Sequence, residues 1–336
     1  MTLRFDFASD NTAGAAPEAL DALVAANAGF AASYGEDAHT ARAADLVRGF
    51  LDADAEVRFV ASGTGANALA LAALCRPFEA VLSHEWAHVR GHETGAPVFF
   101  GGGLAVNGLG GASGRIDPAA LAEALAEPES AHHQPPAALS LTQATEFGAV
   151  YGQGHLAALT TAAKAAGLGV HLDGARLANA VAAGFDAKAI AGLGVDLLVL
   201  GGTKAGMTPT EALVIFDKAL ARRFDARLKQ GGQLPSKSRF YAAPWIGMLE
   251  TGAFIAHAAH ANAMARRLAE ASPFPALHPV ETNGVFVDMD EPALARLHAK
   301  GWLAYRVEDG SVRFMCSWAT TAETVDDLAA DLRAVA

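Results

Sequence analysis

The sequence is poor in cysteine and contains no long apolar run. Its 336 residues include two cysteines, Cys75 and Cys316, which lie far apart and in apolar surroundings. Two such thiols indicate core packing and argue against a disulfide framework or a cysteine metal site. No apolar stretch approaches the roughly 20 residues that a membrane-spanning helix needs. The composition therefore argues against a disulfide-stapled domain and against a helix that crosses a bilayer.

Positive charge is also scarce. The chain carries 25 Lys and Arg residues against 36 Asp and Glu residues, a formal net charge of −11. Because an acidic protein is repelled by phosphate backbones and anionic lipids, we expect neither nucleic acid nor membrane as a partner. The first residues contain Asp6 where a signal peptide would have an apolar core, and no cleavage-site pattern follows. We therefore expect no signal peptide and a cytoplasmic location.

The chain does contain short apolar segments that alternate with Ala-rich helical segments. Hydrophobic residues make up 52% of it, with charges of both signs interspersed, as in an ordinary globular enzyme. The alternation predicts an α/β fold with a largely parallel, seven-stranded sheet. The predicted strands are residues 57–60, 80–83, 97–100, 138–142, 169–173, 197–200 and 212–216. The predicted helices are residues 17–26, 38–51, 65–74, 118–126, 154–166 and 176–183.

The length predicts one large domain and a smaller one, because 336 residues exceed what one core usually fills. A break in the pattern between residues 235 and 244 marks the expected boundary. Residues 1–243 would form an N-terminal arm and the large domain, and residues 244–336 a small α+β domain. In the second part we predict helices over 247–271, from Pro292 and from Ala322, and strands over 284–289 and 312–318. Residues 127–136 lack periodicity and predict a surface loop.

Two apolar segments end in reactive side chains. Residues 195–200 lead through Gly201, Gly202 and Thr203 to Lys204, and residues 169–172 lead to Asp173. A lysine that a buried strand delivers onto a glycine turn is well placed for chemistry. An amine that binds an aldehyde, with a carboxylate that keeps a pyridine nitrogen protonated, is the pattern of a pyridoxal phosphate (PLP) site. We therefore predict PLP as cofactor, bound covalently by Lys204 and paired at its ring nitrogen with Asp173.

A glycine turn after the first predicted strand is a candidate phosphate site. Ser62, Gly63 and Thr64 precede a predicted helix, whose free amide groups bind anions. The turn also matches G-x-G-x-x-A, and Glu85 lies about twenty residues further on, as in a dinucleotide-binding fold. We favour the phosphate of PLP over NAD, because the dinucleotide hypothesis leaves Lys204 without a role.

Two arginines are candidates for binding a substrate carboxylate. Arg176 follows Asp173 by three residues, and Arg313 is a charge within an otherwise apolar segment. The planar guanidinium suits bidentate carboxylate binding, and each charge-assisted contact contributes about 1.5–3 kcal/mol. The structural alternatives are an Asp173–Arg176 salt bridge at a helix start and a surface position for Arg313.

Three histidines, His84, His88 and His92, follow one predicted strand. Their spacing matches no strong zinc pattern and no cysteine is near, so we predict no metal site. We predict instead that His88 or His84 stacks on the PLP ring. Glu146 also follows a strand end and could act with a histidine in proton transfer.

Several motifs occur in order and together indicate a family. They are Ser9-Asp10-Asn11-Thr12, Tyr34-Gly35-Glu36-Asp37, Ser62-Gly63-Thr64-Gly65-Ala66-Asn67, His171-Leu172-Asp173-Gly174-Ala175-Arg176 and Gly202-Thr203-Lys204. With them the chain resembles the low-specificity L-threonine aldolases, which are PLP enzymes of fold type I, the aspartate aminotransferase fold. It is most similar to the subgroup that includes phenylserine aldolases, through residues 142–146, 201–204 and 313–318. The resemblance covers nearly the whole chain.

The resemblance implies roles for the matching residues. The implied catalytic residues are Lys204, His88, Glu146 and Asp173. The implied cofactor-binding residues are Lys204, Asp173, Gly63, Thr64, His88, Arg176 and Lys237. The implied substrate-binding residues are Ser9, Tyr34, His84, Arg176 and Arg313. Tyr34 would lie at a dimer interface near the active site, and Lys237 or Lys229 would reach the phosphate across it. Many relatives have a histidine where Glu146 stands, so the proton-transfer group stays open.

The implied activity is reversible retro-aldol cleavage of the Cα–Cβ bond of L-threonine, L-allo-threonine or phenylserine-type amino acids. Glycine and an aldehyde would be the products, and the enzyme would be a homo-oligomer, a dimer or a tetramer. A β-eliminating PLP lyase or an aminotransferase is an alternative. Outside PLP chemistry, an NAD-binding oxidoreductase is a further alternative.

Overall fold

The computed structural model describes residues 2–128 and 130–336, which form a seven-stranded and a three-stranded sheet. The strands of the large sheet are β1 (Glu56–Val60), β2 (Ala80–His84), β3 (Ala105–Leu109), β4 (Pro136–Thr142), β5 (Gly169–Gly174), β6 (Leu197–Gly201) and β7 (Glu211–Ile215). Their order is β1-β7-β6-β5-β4-β2-β3. Strand β7 pairs antiparallel with β1 and β6, and the other pairs are parallel. The predicted α/β class with a mostly parallel sheet is confirmed.

Helices pack against both faces of the large sheet, and the last helices of the chain pack against the small sheet. The helices are α1 (Pro17–Ala26), α2 (Ala38–Leu51), α3 (Gly63–Leu74), α4 (His88–Gly91), α5 (Ala96–Phe100), α6 (Pro118–Ala126), α7 (Gln153–Ala165), α8 (Leu177–Ala182), α9 (Lys218–Ala221), α10 (Phe224–Gln230), α11 (Arg239–Glu250), α12 (Ala253–Ala271), α13 (Glu291–Ala299) and α14 (Ala322–Val335). Leu198 and Leu200 of β6 lie in one core cluster, whereas Leu197 and Val199 pack with residues of α3 and α10 in another. Alternate side chains of a strand point to opposite faces, so β6 is covered on both.

The small sheet consists of β8 (Gly284–Val287), β9 (Tyr305–Arg306) and β10 (Val312–Met315), in the antiparallel order β8-β10-β9. Its core includes Trp302, Phe314 and the leucines of α13 and α14. Phe7 from the N-terminal arm is buried in the same core. The arm therefore joins the first residues of the chain to the C-terminal sheet.

Local capping signals explain why several helix boundaries are predictable. Asp37 accepts a hydrogen bond from the Thr40 amide at the start of α2, and Asp117 does the same for Ala119 at the start of α6. Carboxylates at this position satisfy amide groups that have no partner within the helix. The predicted helices 17–26, 38–51 and 118–126 are confirmed at both ends.

Some element predictions are wrong. Residues 97–100 lie in helix α5 and not in a strand, and the strand β3 was not predicted. The helix predicted over 247–271 is divided into α11 and α12 at Gly252, whose φ of 76° favours glycine. The strands predicted over 284–289 and 312–318 end earlier, at Val287 and Met315.

The structure can also be compared with the predicted loop and the predicted domain boundary. Residues 127 to 135 contain no helix or strand as far as they are described; Glu129 lies outside the described residues. The boundary predicted after residue 243 falls inside α11, and the division into domains 1–243 and 244–336 stays a prediction. No helix within the described ranges is both long and apolar enough to cross a membrane.

Candidate active site

Lys204 and Asp173 lie at the same edge of the large sheet. Strands β5 and β6 are parallel neighbours, so their carboxyl ends meet; Asp173 is near the end of β5, and Lys204 follows β6. Both residues line a cavity of about 370 Å³. Ligands of open parallel sheets bind at this edge. The two residues that the sequence indicated are thus brought together.

The Asp173 carboxylate is buried and held by two hydrogen bonds. Its Oδ2 accepts from Asn67 Nδ2 at 2.9 Å, and its Oδ1 accepts from the Ala175 amide at 2.9 Å. Because a carboxylate has about four acceptor positions, it can still accept a hydrogen bond from a ligand in the cavity. This arrangement fits the protonated ring nitrogen of PLP.

The first turn of α3 opens onto the same cavity. Ser62 caps the helix by accepting from the Gly65 amide at 3.2 Å, and Gly63 and Thr64 line the cavity. The amides of Gly63 and Thr64 are in the first turn, where no acceptor exists within the helix. A Cβ atom at Gly63 would meet nothing within 4 Å, so the approach to these amides is open. The turn is suited to a phosphate group.

His88 is oriented by Glu93. Its Nδ1 lies 2.9 Å from Glu93 Oε1, which also accepts from Asn67 Nδ2 at 2.9 Å. Burial raises the pKa of Glu93, and the bonds from His88 and Asn67 oppose that rise. The His88 side chain is 42% exposed and lines the cavity, so it can contact a ligand there. The sequence analysis missed Asn67 as a partner, although a polar residue in the apolar α3 segment was a signal.

A second cavity of about 360 Å³ adjoins the first and shares His88, Glu146, Arg176 and Lys204 with it. Glu146 Oε1 accepts from the His88 amide at 2.9 Å and from Thr142 Oγ1 at 3.0 Å. Its Oε2 is buried and has no partner among the described residues. Burial raises the pKa of Glu146. Glu146 can therefore exchange a proton with a ligand that spans both cavities.

Arg313 and Ser9 line the second cavity. Arg313 Nη2 donates to the Ala8 carbonyl at 3.3 Å, and Arg313 Nε is buried without a partner in the described part of the chain. Burial lowers the pKa of this guanidinium, and the charge of Arg176 lowers it further. A substrate carboxylate would satisfy both arginines, since it supplies two acceptor oxygens. Arg313 is not the surface charge that was considered as an alternative.

Arg176 pairs with Asp10 and not with Asp173. Its Nε donates to Asp10 Oδ2 at 2.6 Å and its Nη2 to Asp10 Oδ1 at 3.0 Å. Burial alone would raise the pKa of Asp10, but the charge and hydrogen bonds of Arg176 hold it at about 2. The salt bridge considered between Asp173 and Arg176 is therefore replaced by a pair with the N-terminal arm, which the sequence analysis missed.

Glu211 is a further buried carboxyl group that lines the first cavity. Its Oε2 accepts from the Gly202 amide at 2.7 Å and so fixes the turn that carries Lys204. Burial raises its pKa, and the charge of Lys204 acts in the opposite direction. The sequence analysis missed this residue, because an acid at the first position of an apolar strand resembles an ordinary strand boundary.

Three residues of the predicted site lie elsewhere: His84, Tyr34 and Lys237 are not among the described residues that line the two cavities. His84 is buried, with Nε2 3.0 Å from the Gly111 carbonyl and Nδ1 accepting from the Trp86 amide. Tyr34 and Lys237 are exposed. The site roles predicted for all of these residues stay predictions.

Comparison with known proteins identifies the family. The sequence model of the beta-eliminating lyase family matches residues 6–292. The chain is 45% identical over 336 residues to a low-specificity L-threonine aldolase of a Pseudomonas species, covering 98% of this chain and 97% of that one. A low-specificity L-threonine aldolase of Pseudomonas aeruginosa is also 45% identical, with the same coverage.

Solved structures agree with these relatives. Threonine aldolase of Leishmania major superposes with a TM-score of 0.91 at 32% identity, over 98% of this chain and 99% of that one. An aspartate aminotransferase of Thermus thermophilus superposes with a TM-score of 0.73 at 18% identity, over 96% and 89%, and shows the shared fold alone. The chain therefore belongs to the beta-eliminating lyase family, whose members depend on PLP, and within it to the threonine aldolases.

Proposed function

We propose that this chain cleaves the Cα–Cβ bond of L-threonine and of bulkier β-hydroxy-α-amino acids, phenylserine among them, and releases glycine and an aldehyde. The observation that carries the proposal is the position of Glu146. Its unpartnered Oε2 belongs to a residue that lines both the cavity of Lys204 and Asp173 and the cavity of Arg313. A carboxylate bound to the arginines and an amine near Lys204 bring the substrate's β-hydroxyl toward this oxygen.

PLP, when it is bound, supplies an electron sink for the electron pair that Cα–Cβ cleavage leaves on Cα. Lys204 would bind the cofactor, Asp173 would accept a hydrogen bond from its ring nitrogen, and the amides of Gly63 and Thr64 would hold its phosphate. His88, which Glu93 orients, would pack against the ring.

The remaining residues orient the substrate and move its proton. Arg176, Arg313 and Ser9 bind the carboxylate, which fixes the torsion about Cα and thus the bond that breaks. Glu146 takes the β-hydroxyl proton; the Cβ–O bond becomes a carbonyl as the Cα–Cβ bond opens. The proton that Glu146 took is then returned to Cα, which completes glycine and leaves Glu146 ionised again. Burial raises the pKa of Glu146 and so makes its carboxylate a stronger base than a solvated one.

An aryl substituent at Cβ has suitable surroundings in the second cavity. Its lining includes four apolar or aromatic residues, Trp86, Phe147, Phe286 and Val307. Apolar and aromatic side chains bind a phenyl group well. These contacts support phenylserine as a substrate in addition to threonine.

We also propose that the enzyme is a homo-oligomer, with Tyr34 and Lys237 or Lys229 completing the partner's site. Tyr34, Lys229 and Lys237 form an exposed cluster: Lys229 Nζ lies 4.4 Å from the centre of the Tyr34 ring, and the Tyr34 amide donates to the Ser236 carbonyl next to Lys237 at 3.0 Å. A cytoplasmic location stays a prediction, in keeping with the two buried free thiols, Cys75 and Cys316.

The test of the activity is product analysis with the purified holoenzyme. L-threonine should give glycine and acetaldehyde, and phenylserine should give glycine and benzaldehyde. Lys204→Ala should lose both reactions and the visible absorption of the covalently bound cofactor. Ammonia and a keto acid in place of glycine would instead establish a β-eliminating lyase. Cleavage that persists in Lys204→Ala would refute the mechanism.

A further inference from the structure

The turn between β9 and β10 forms one wall of the second cavity. Val307 and Glu308 of this turn line the cavity together with Trp86 and His92. Glu308 Oε1 lies 3.1 Å from His92 Nε2, so the turn also reaches across to the segment that carries His88. Within the turn, Asp309 Oδ1 accepts from the amide and the hydroxyl of Ser311, at 3.0 and 2.7 Å. The turn thus has a defined internal geometry.

His278 connects this turn to the segment that follows β3. Its Nε2 lies 2.6 Å from Asp309 Oδ2, and its Nδ1 lies 3.0 Å from Ser113 Oγ. The imidazole side chain is 14% exposed and the Asp309 side chain 18%, so water competes little for these bonds. A neutral imidazole that donates from Nε2 to the carboxylate and accepts at Nδ1 from the hydroxyl satisfies both contacts.

The same imidazole holds an aromatic side chain of the cavity. The rings of His278 and Phe147 are stacked, with centroids 4.2 Å apart and planes at 22°, and Phe286 packs edge-on against both. Phe147 and Phe286 line the second cavity, whereas His278 lies behind them. His278 therefore bonds to one wall through Asp309 and stacks under the adjoining wall through Phe147.

We infer that His278 is a positioning residue that fixes the pocket for the β-substituent and thereby favours aryl substrates over threonine. This inference rests on the proposed function. With the carboxylate at Arg313 and the β-hydroxyl at Glu146, the substituent would face Phe147 and the part of the turn formed by Val307 and Glu308, because these residues line the same cavity. A methyl group contacts little of this surface. A phenyl ring contacts both Phe147 and the turn, so its binding depends on the distance between them. Loss of the His278 contacts therefore weakens aryl binding selectively.

The experiment compares two substitutions at one position. His278→Phe keeps a ring to stack on Phe147 but removes both hydrogen bonds, and His278→Gln keeps a donor and an acceptor but removes the ring. We expect His278→Phe to raise KM for phenylserine about five- to tenfold, the loss expected for one or two hydrogen bonds, with KM for threonine and both kcat values changed less than about twofold. His278→Gln should recover part of the phenylserine affinity. Ser113→Ala, which removes one anchor without changing His278, should shift KM in the same direction by less.

Binding without cleavage gives an independent readout. Calorimetric Kd values of phenylalanine and alanine measure binding in the pocket without bond cleavage. In His278→Phe the Kd of phenylalanine should rise relative to that of alanine. The visible absorption of the bound cofactor and the unfolding midpoint of each holoenzyme variant verify the fold. An unchanged phenylalanine-to-alanine ratio in both His278→Phe and Ser113→Ala would overturn the inference. Failure of the unsubstituted enzyme to release glycine would count against the proposed function alone, because the binding ratio does not depend on cleavage.

Discussion

Carboxyl groups of four residues line the first cavity within the described chain: Asp173, Glu93, Glu146 and Glu211. Asn67 donates to both Glu93 and Asp173, and the other hydrogen-bond donors separate the roles of the four groups. Glu93 serves His88, and Glu211 serves the Gly202 amide. Asp173 is fixed by Asn67 and faces the cavity. Glu93 Oε2 and Glu146 Oε2 are both buried without a partner among the described residues, but of the four residues only Glu146 also lines the second cavity. We therefore propose Glu146 as the base.

The substitution Glu146→Gln tests this assignment. The amide keeps the shape and an acceptor for the His88 N–H but cannot take a proton, so kcat should fall by about 10²- to 10⁴-fold while cofactor absorption is retained. A base acts when deprotonated, and burial raises the pKa of Glu146 above its ordinary 4.5. In the unsubstituted enzyme kcat should therefore rise with pH through this raised pKa, and in Glu146→Gln that rise should disappear.

Glu211→Gln is the matched control for that experiment. Glu211 is also buried, lines the first cavity and has a raised pKa, but its carboxylate is bound to the Gly202 amide. Its variant should retain the rise of kcat with pH whatever its rate. A pH profile that is lost in Glu211→Gln and kept in Glu146→Gln would assign the base to Glu211.

At the residue scale, the sequence indicates the ends of strands but not their partners. Lys204 and Asp173 were predictable because each ends an apolar run, and parallel strands end at one edge. The bond from Asn67 to Asp173 joins residues 106 positions apart, and the pair of Asp10 with Arg176 spans 166 positions. Nothing local specifies such pairs, since they depend on how the arm and α3 pack. His84 shows the converse. It follows the same strand as His88 and was an equal candidate from the sequence, but its ring binds the Gly111 carbonyl.

At the element scale, the N-terminal arm is fastened to the start of α8 and to the small sheet. Asp10 accepts two bonds from Arg176 and one from Asn283 Nδ2 at 3.1 Å. Two residues earlier in the arm, the Ala8 carbonyl accepts from Arg313. The arm therefore carries Ser9 to the second cavity, which Arg176 and Arg313 also line.

The hydrogen bonds of Asp10 predict that the free energy of unfolding decreases at acid pH. The pKa of Asp10 is lowered from 3.8 to about 2, so the ionised group stabilises the fold above the unfolded value, and that stabilisation is lost as pH falls from 3.8 toward 2. The shift corresponds to roughly 2 kcal/mol. Asp10→Asn should lower the free energy of unfolding in urea near pH 6, and the deficit should shrink as pH falls toward about 3.

An exposed ion pair provides the control for the arm. Asp326→Asn removes a surface partner of Arg267 and should change stability little at either pH, because solvent screens such pairs. A deficit in Asp10→Asn that stays constant between the two pH values would show that the loss is one of packing and not of charge.

Element predictions failed where the hydrophobicity of a segment does not match its burial. Residues 97–100 are apolar and suggested a strand, yet Val98 and Phe99 are exposed on the short helix α5. Strand β3 contains Asn107 and Gly108, which are poor strand formers, and pairs with β2 on one side only at the sheet edge. An edge strand needs no continuous apolar pattern, so its sequence gives a weak signal. Capped helices such as α2 and α6 were predictable because their signals are local.

At the scale of the whole molecule, the exposed Tyr34, Lys229 and Lys237 cluster lacks a role within its own chain's cavities. A symmetric dimer brings the same surface of each subunit toward the other, so this cluster can serve the neighbouring site. If Lys237 binds the phosphate held by the partner's α3, the substitution Lys237→Ala should weaken cofactor affinity, and light scattering should still show an oligomer.

Mixing two variants that have low activity at limiting cofactor tests whether a site is shared between subunits. In a dimer of Lys204→Ala with Lys237→Ala, one site would contain both substitutions and the other would contain neither. Random exchange of subunits should therefore restore up to about a quarter of the unsubstituted activity at limiting cofactor, whereas each variant alone stays low. Lys229→Ala, mixed in the same way, distinguishes the two lysines. If neither mixture gains activity although subunits exchange, then both lysines act within their own chain or outside the site, and the proposed sharing is refuted.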